Sequence, residues 1–119
     1  MTISFLFRKP KFPIICNFDG IVIAANSLKS LEMKLKKIQI DSEEYYDIVD
    51  VTSEGWDFSA KHMVISPLTI KKKWFKREII ELYNKRENTS KQGTEYSIKS
   101  LSSKRFGKIF TEIVDLLEK

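Results

Sequence analysis

The dipeptide Asp19–Gly20 constrains this fold more than any other feature of the chain, because it stands between two apolar runs, residues 12–18 and 21–26. A two-residue turn of type I′ needs positive φ at both central positions, which Asp and Gly accept and bulky residues resist. The pattern predicts a β-hairpin, and the elements around it follow from their periods. Residues 3–7 read as a short strand. Ser27 is a plausible N-cap, after which Leu28, Leu31, Leu35 and Ile38 recur at helical spacing among lysines. Residues 45–52 are rich in Tyr, Ile and Val, 53–55 form a turn, and 56–66 contain a returning strand centred on 63–65.

Pro67 interrupts any further ladder, and 68–74 fits either an edge strand or a helical turn. From Phe75 the period is helical, with Phe75, Ile79, Leu82 and Tyr83 on one side. The polar stretch 87–95 reads as a loop and 96–98 as a brief strand. Ser102 or Ser103 then caps a helix whose apolar face is Phe106, Ile109, Phe110, Ile113, Val114 and Leu117. The order βββαββαα predicts an α+β fold, with a mostly antiparallel sheet of four to five strands and three helices in a two-layer sandwich. At 119 residues, 42% of them hydrophobic, residues 1–119 are expected to form a single domain with a core that needs no metal or disulfide.

Little in the sequence points to chemistry. It contains no GxGxxG, GxxxxGK[ST] or GxSxG pattern, and its four glycines are scattered. Cys16 is the lone cysteine and lies in an apolar strand, where such a residue serves as a small hydrophobe. His62 is the lone histidine and reads as a turn residue, so a zinc site would need carboxylates for most of its ligands. Asp47 and Asp57 could meet across the hairpin and share a proton or a cation, but without a calcium-loop spacing they read as a solvated face. The expectation is no enzyme, no cofactor and no metal. The apolar run 3–7 is shorter than a signal peptide core and is followed, not preceded, by positive charge. No apolar stretch reaches transmembrane length. With one unpaired cysteine, the reading is a cytoplasmic protein without membrane contact.

Charge is divided between two neighbouring stretches. Residues 41–57 carry Asp41, Glu43, Glu44, Asp47, Asp50, Glu54 and Asp57 with no Lys or Arg. Residues 71–86 carry Lys71, Lys72, Lys73, Lys76, Arg77, Lys85 and Arg86 against Glu78 and Glu81. Opposed charged surfaces steer and select partners. One reading is a protein-binding acidic face made of Asp47, Asp50, Glu54 and Asp57 with Tyr46 and Trp56 as aromatic anchors. The alternative is a nucleic-acid platform of Lys71, Lys72, Lys73, Lys76 and Arg77 with Trp74 as stacking group, in a chain of net charge +5. The bland reading of that basic run is a solvated turn, with Glu81 pairing Arg77 and Lys85 along the helix. Whether the acidic and basic stretches neutralise each other within the fold is left open by sequence.

The segments DVTSEGW (50–56) and ISPLTIKKKWFKREIIELYN (65–84) give residues 45–85 a further likeness. In size and style the chain resembles small bacterial immunity proteins encoded beside polymorphic or contact-dependent toxins. The resemblance implies a cytoplasmic protein that occludes a cognate toxin domain by charge and shape. It carries over no functional residues, since such proteins share no active motif. The basic total departs from the acidic balance expected against a cationic nuclease.

Overall fold

Two apolar layers, one on each side of a single six-stranded sheet, organise the computed structural model, which describes residues 2–41, 43–87, 96–97 and 103–118. The strands are β1 (Ser4–Phe5), β2 (Ile14–Phe18), β3 (Ile21–Ala25), β4 (Tyr45–Asp50), β5 (Gly55–Ser59) and β6 (Val64–Pro67). The helices are α1 (Leu28–Leu35), α2 (Lys76–Asn84) and α3 (Phe106–Leu117). The sheet order is β1-β6-β5-β4-β2-β3, with β1 parallel to β6 and every other pair antiparallel.

The fold class is the one expected, α+β with a mostly antiparallel sheet. It departs in detail. The sheet has six strands rather than four or five, because the return expected within 56–66 is two strands. Ser59 Oγ accepts the His62 amide at 3.3 Å and Met63 takes φ 54°, which turns the chain between β5 and β6. Helices also flank both faces of the sheet rather than forming two layers, with α1 on one face and α2 and α3 on the other.

Period-two alternation assigns each strand residue to a face. Ile14, Cys16 and Phe18 of β2, Tyr46 and Ile48 of β4, and Trp56 and Phe58 of β5 pack with Leu31 and Leu35 of α1. Ile15, Val22, Ala24 and Val49 pack with Ile79, Ile80 and Tyr83 of α2 and with Ile109, Phe110, Ile113 and Val114 of α3. Each large apolar side chain so buried contributes about 1.5–3 kcal/mol against the entropy of ordering the chain.

The hairpin turn forms as the sequence requires, with φ 53° at Asp19 and 96° at Gly20. Ser27 caps α1 by accepting the Ser30 amide at 3.1 Å. At the β3 edge, Lys34 of α1 donates to the Ala24 carbonyl and pairs with Glu118 beyond α3 at 2.6 Å. Helices from opposite faces are thereby tied around that edge. The α3 N-cap is Arg105, not the expected Ser102 or Ser103. The loop expected at 87–95 and the strand expected at 96–98 lie largely outside the described residues, as does Ser102.

Candidate interaction surface

The six residues expected to form an acidic docking face do not share a surface. In β4 and β5, alternation sends Asp47 and Asp57 to the α2/α3 face, beyond the cover of those helices, and Tyr46, Asp50 and Trp56 to the α1 face. Trp56 and Asp50 are each 1% exposed and Tyr46 is buried. Asp50 is a structural hub. Its Oδ1 accepts the Thr52 and Glu54 amides at 2.9 and 3.1 Å and the Thr52 hydroxyl at 2.5 Å. Its Oδ2 accepts the Trp56 indole N–H at 2.9 Å and the Lys11 amide at 3.2 Å. Glu54 is held by both terminal nitrogens of Arg8, at 3.1 and 2.6 Å, and the same guanidinium lies 4.9 Å over the Trp56 ring. The alternation that separates these residues was present in the sequence, since 46, 48 and 50 share parity and 47 does not.

Asp47 and Asp57 do meet, as direct partners in the β4–β5 register. Partial burial, then the charge of Asp47, raises the Asp57 pKa above the ordinary carboxylate value. The folded chain therefore holds that proton more tightly than the unfolded chain, and this pair lowers stability as pH rises through the carboxylate range. Asp57→Asn is expected to stabilise the protein by about 0.5 kcal/mol at neutral pH, with the gain vanishing below the unfolded carboxylate pKa. Urea melts at two pH values measure it. Among the described residues, no group of three or more His, Cys, Asp or Glu side chains is arranged to hold a metal. Cys16 is sealed in the core, where burial pushes its thiol pKa up and keeps it protonated.

The basic stretch folds against the tip of the acidic hairpin. The Gly55 amide donates to the Lys72 carbonyl at 2.8 Å and the Trp74 amide to the Ser53 carbonyl at 2.7 Å, with Lys73 bridged to Glu54. The contact is made by main chain. The Glu54 carboxylate goes to Arg8, so the lysines are not neutralised by the turn they touch. On the other side of the same turn, the Val51 amide donates to the Lys11 carbonyl at 3.3 Å. One end of the molecule thus gathers Arg8, Lys11 and 71–73 around the β4–β5 turn.

Trp74 is not the open stacking group expected. A Cβ at Gly55 would lie 3.0 Å from its ring nitrogen, and the Lys72 ammonium sits 4.5 Å over its ring. Phe75, expected on the apolar face of α2, is instead the α2 N-cap residue and is 70% exposed. Ile70 is 84% exposed. Lys72 pairs with Glu78 at 3.3 Å and Lys85 with Glu81 at 3.7 Å. The expected Arg77–Glu81 pair does not form, and among the described residues Lys71, Lys73 and Arg77 have no carboxylate partner.

A groove of about 560 Å³ runs along this end, with Trp74, Phe75 and Phe106 as its apolar lining and Lys73, Lys76, Arg77 and Arg105 as its cations, Lys76 donating to the Lys104 carbonyl at 3.0 Å. Arg105 and Phe106 come from the start of α3, brought in by α2–α3 packing. Sequence reasoning missed them, although Lys104–Arg105–Phe106 repeats the cation–aromatic pattern of 71–77. The chain matches no family model, no curated protein and no solved structure. Its function is therefore argued from this geometry.

Proposed function

We propose that this protein is a non-enzymatic binding module that docks an acidic protein partner through its basic, apolar end. The observation that supports it is the exposure of Ile70 and Phe75 among cations without carboxylate partners. Exposed apolar anchors set in charge are the residues that dominate protein interfaces, while the surrounding charge speeds encounter and selects the partner. An immunity-type inhibitor, which occludes a cognate toxin domain, is the specific role within this class. Its docking surface is then the basic end, and the toxin domain presents acid. A cytoplasmic location suits the single reduced thiol, and no described helix is long and apolar enough to cross a membrane.

Binding of single-stranded nucleic acid fits the same cations less well. The Trp74 ring is covered by Lys72 and Ile70 has no ring, which leaves Phe75 as the one strongly exposed ring for a base to stack on among the described residues of 70–77. The test uses the purified product of the adjacent gene as candidate partner. Wild type should form a salt-sensitive complex, and Lys71→Glu/Lys73→Glu should fold normally and bind at least about tenfold more weakly. Unchanged binding by that variant refutes the proposed surface. Tight binding to oligo(dT), with a log–log salt slope near −0.7 per phosphate contacted, refutes the protein partner in favour of nucleic acid.

A further inference from the structure

The groove between the starts of α2 and α3 has a more specific chemistry than the surface around it. Both helices open into it, α2 with nine residues and α3 with twelve, and neither has a side-chain cap: Phe75 and Arg105 occupy the N-cap positions. A helix start carries partial positive charge and outward-facing amides, and these two lack the Ser, Thr, Asp or Asn acceptor usually placed there. Arg77 and Arg105 stand on the same groove with no carboxylate partner among the described residues. Glu78, the acidic residue in the first turn of α2, is already engaged, accepting the Phe75 amide at 2.9 Å and pairing with Lys72.

An independent observation comes from Ser53. This residue lies on the groove wall with φ 79°, 3% exposed, and its buried hydroxyl has no hydrogen-bond partner among the described residues. A buried hydroxyl left without a partner is unfavourable, so it is an unused donor beside a cationic groove.

We propose that this groove is a seat for a carboxylate of an acidic peptide segment, held by Arg77, Arg105 and the open starts of α2 and α3 with Ser53 at its wall. Trp74, Phe75 and Phe106 make the lining apolar, so the fitting segment sets an acidic side chain beside an apolar one. Arginine suits the role because its planar fork meets a carboxylate with two parallel hydrogen bonds. This inference takes its partner class from the docking reading, but the seat itself is tested without the native partner.

The probe is a short peptide of alternating Glu and Leu, titrated into the full chain while the amide resonances of Ser53, Arg77 and Phe106 are followed. Saturable shifts at these amides are expected, and Arg77→Gln/Arg105→Gln should weaken the peptide by about tenfold or more. Lys29→Gln/Lys37→Gln removes equal charge from α1 and the turn that follows it, on the opposite face, and should change affinity by less than about twofold. Thermal melts of both variants check that they fold. Shifts that fail to saturate, equal losses in the two variants, or tighter binding of a charge-matched oligo(dT) at the same amides overturn the seat. If the peptide binds as expected but the adjacent-gene product does not, the docking reading fails and the seat stands. The reverse result removes the seat alone.

Discussion

Asp50→Ala is expected to lower stability by about 3–5 kcal/mol, a large part of the 5–15 kcal/mol available to a domain of this size. The loss follows from what would be stranded. Asp50 accepts five donors, and the indole N–H of Trp56 is the deepest of them. Each buried donor left without an acceptor costs about 1–3 kcal/mol, though the Lys11, Thr52 and Glu54 amides lie nearer to solvent and recover part of it. Asp50→Asn keeps the shape but turns an amino group toward donors on one side, so it should retain no more than about half of the stability that alanine loses. Urea unfolding should show a lower midpoint with an unchanged slope. A midpoint within experimental error of wild type would remove Asp50 from this role. For the same reason, charge reversal at Asp50 tests folding and not docking, and partner loss in such a variant carries no information about the surface.

Much of the scaffold was legible because it rests on local rules. Asp19–Gly20 takes the two positive φ angles that a tight hairpin needs, Ser27 caps α1 by its own hydroxyl, and the spacing of Ile109, Phe110, Ile113 and Val114 places α3 on the core. What failed were inferences that counted charge without parity. Asp47 and Asp50 are three apart, so a strand sends them to opposite faces, and the acidic run divides into a pair with one exposed and one half-buried carboxylate, Asp47 and Asp57, and a buried hub, Asp50. The pairing of β1 with β6 joins residues that sequence period cannot connect, since it depends on closing a long chain segment. Phe75 was misplaced because helical spacing assigns a face only to residues inside the helix, whereas an N-cap residue has extended backbone, here φ −100° and ψ 159°. Arg105 and Phe106 joined the groove through α2–α3 packing, a tertiary fact that no spacing within 71–86 contains.

Phe75→Ser is expected to raise stability while weakening docking. Half of a capping box is already present, since Glu78 Oε1 accepts the Phe75 amide at 2.9 Å. A hydroxyl at the N-cap would accept the Glu78 amide and complete the box, which typically stabilises a helix start by about 1 kcal/mol. Little packing opposes this gain, because the phenyl ring is 70% exposed. Docking should move the other way, since truncating an apolar anchor at an interface centre costs about 2 kcal/mol or more, close to thirtyfold in affinity. A thermal melt and a titration with the Glu/Leu peptide measure the two effects on one sample. A lower melting temperature would show that Phe75 is a packing residue after all. A higher one with unchanged affinity would move the contact surface away from the α2 start. The expected pair of results gives the exposed ring its reason: at a position where a small polar residue serves the fold better, a phenylalanine is explained by what it contacts outside the chain.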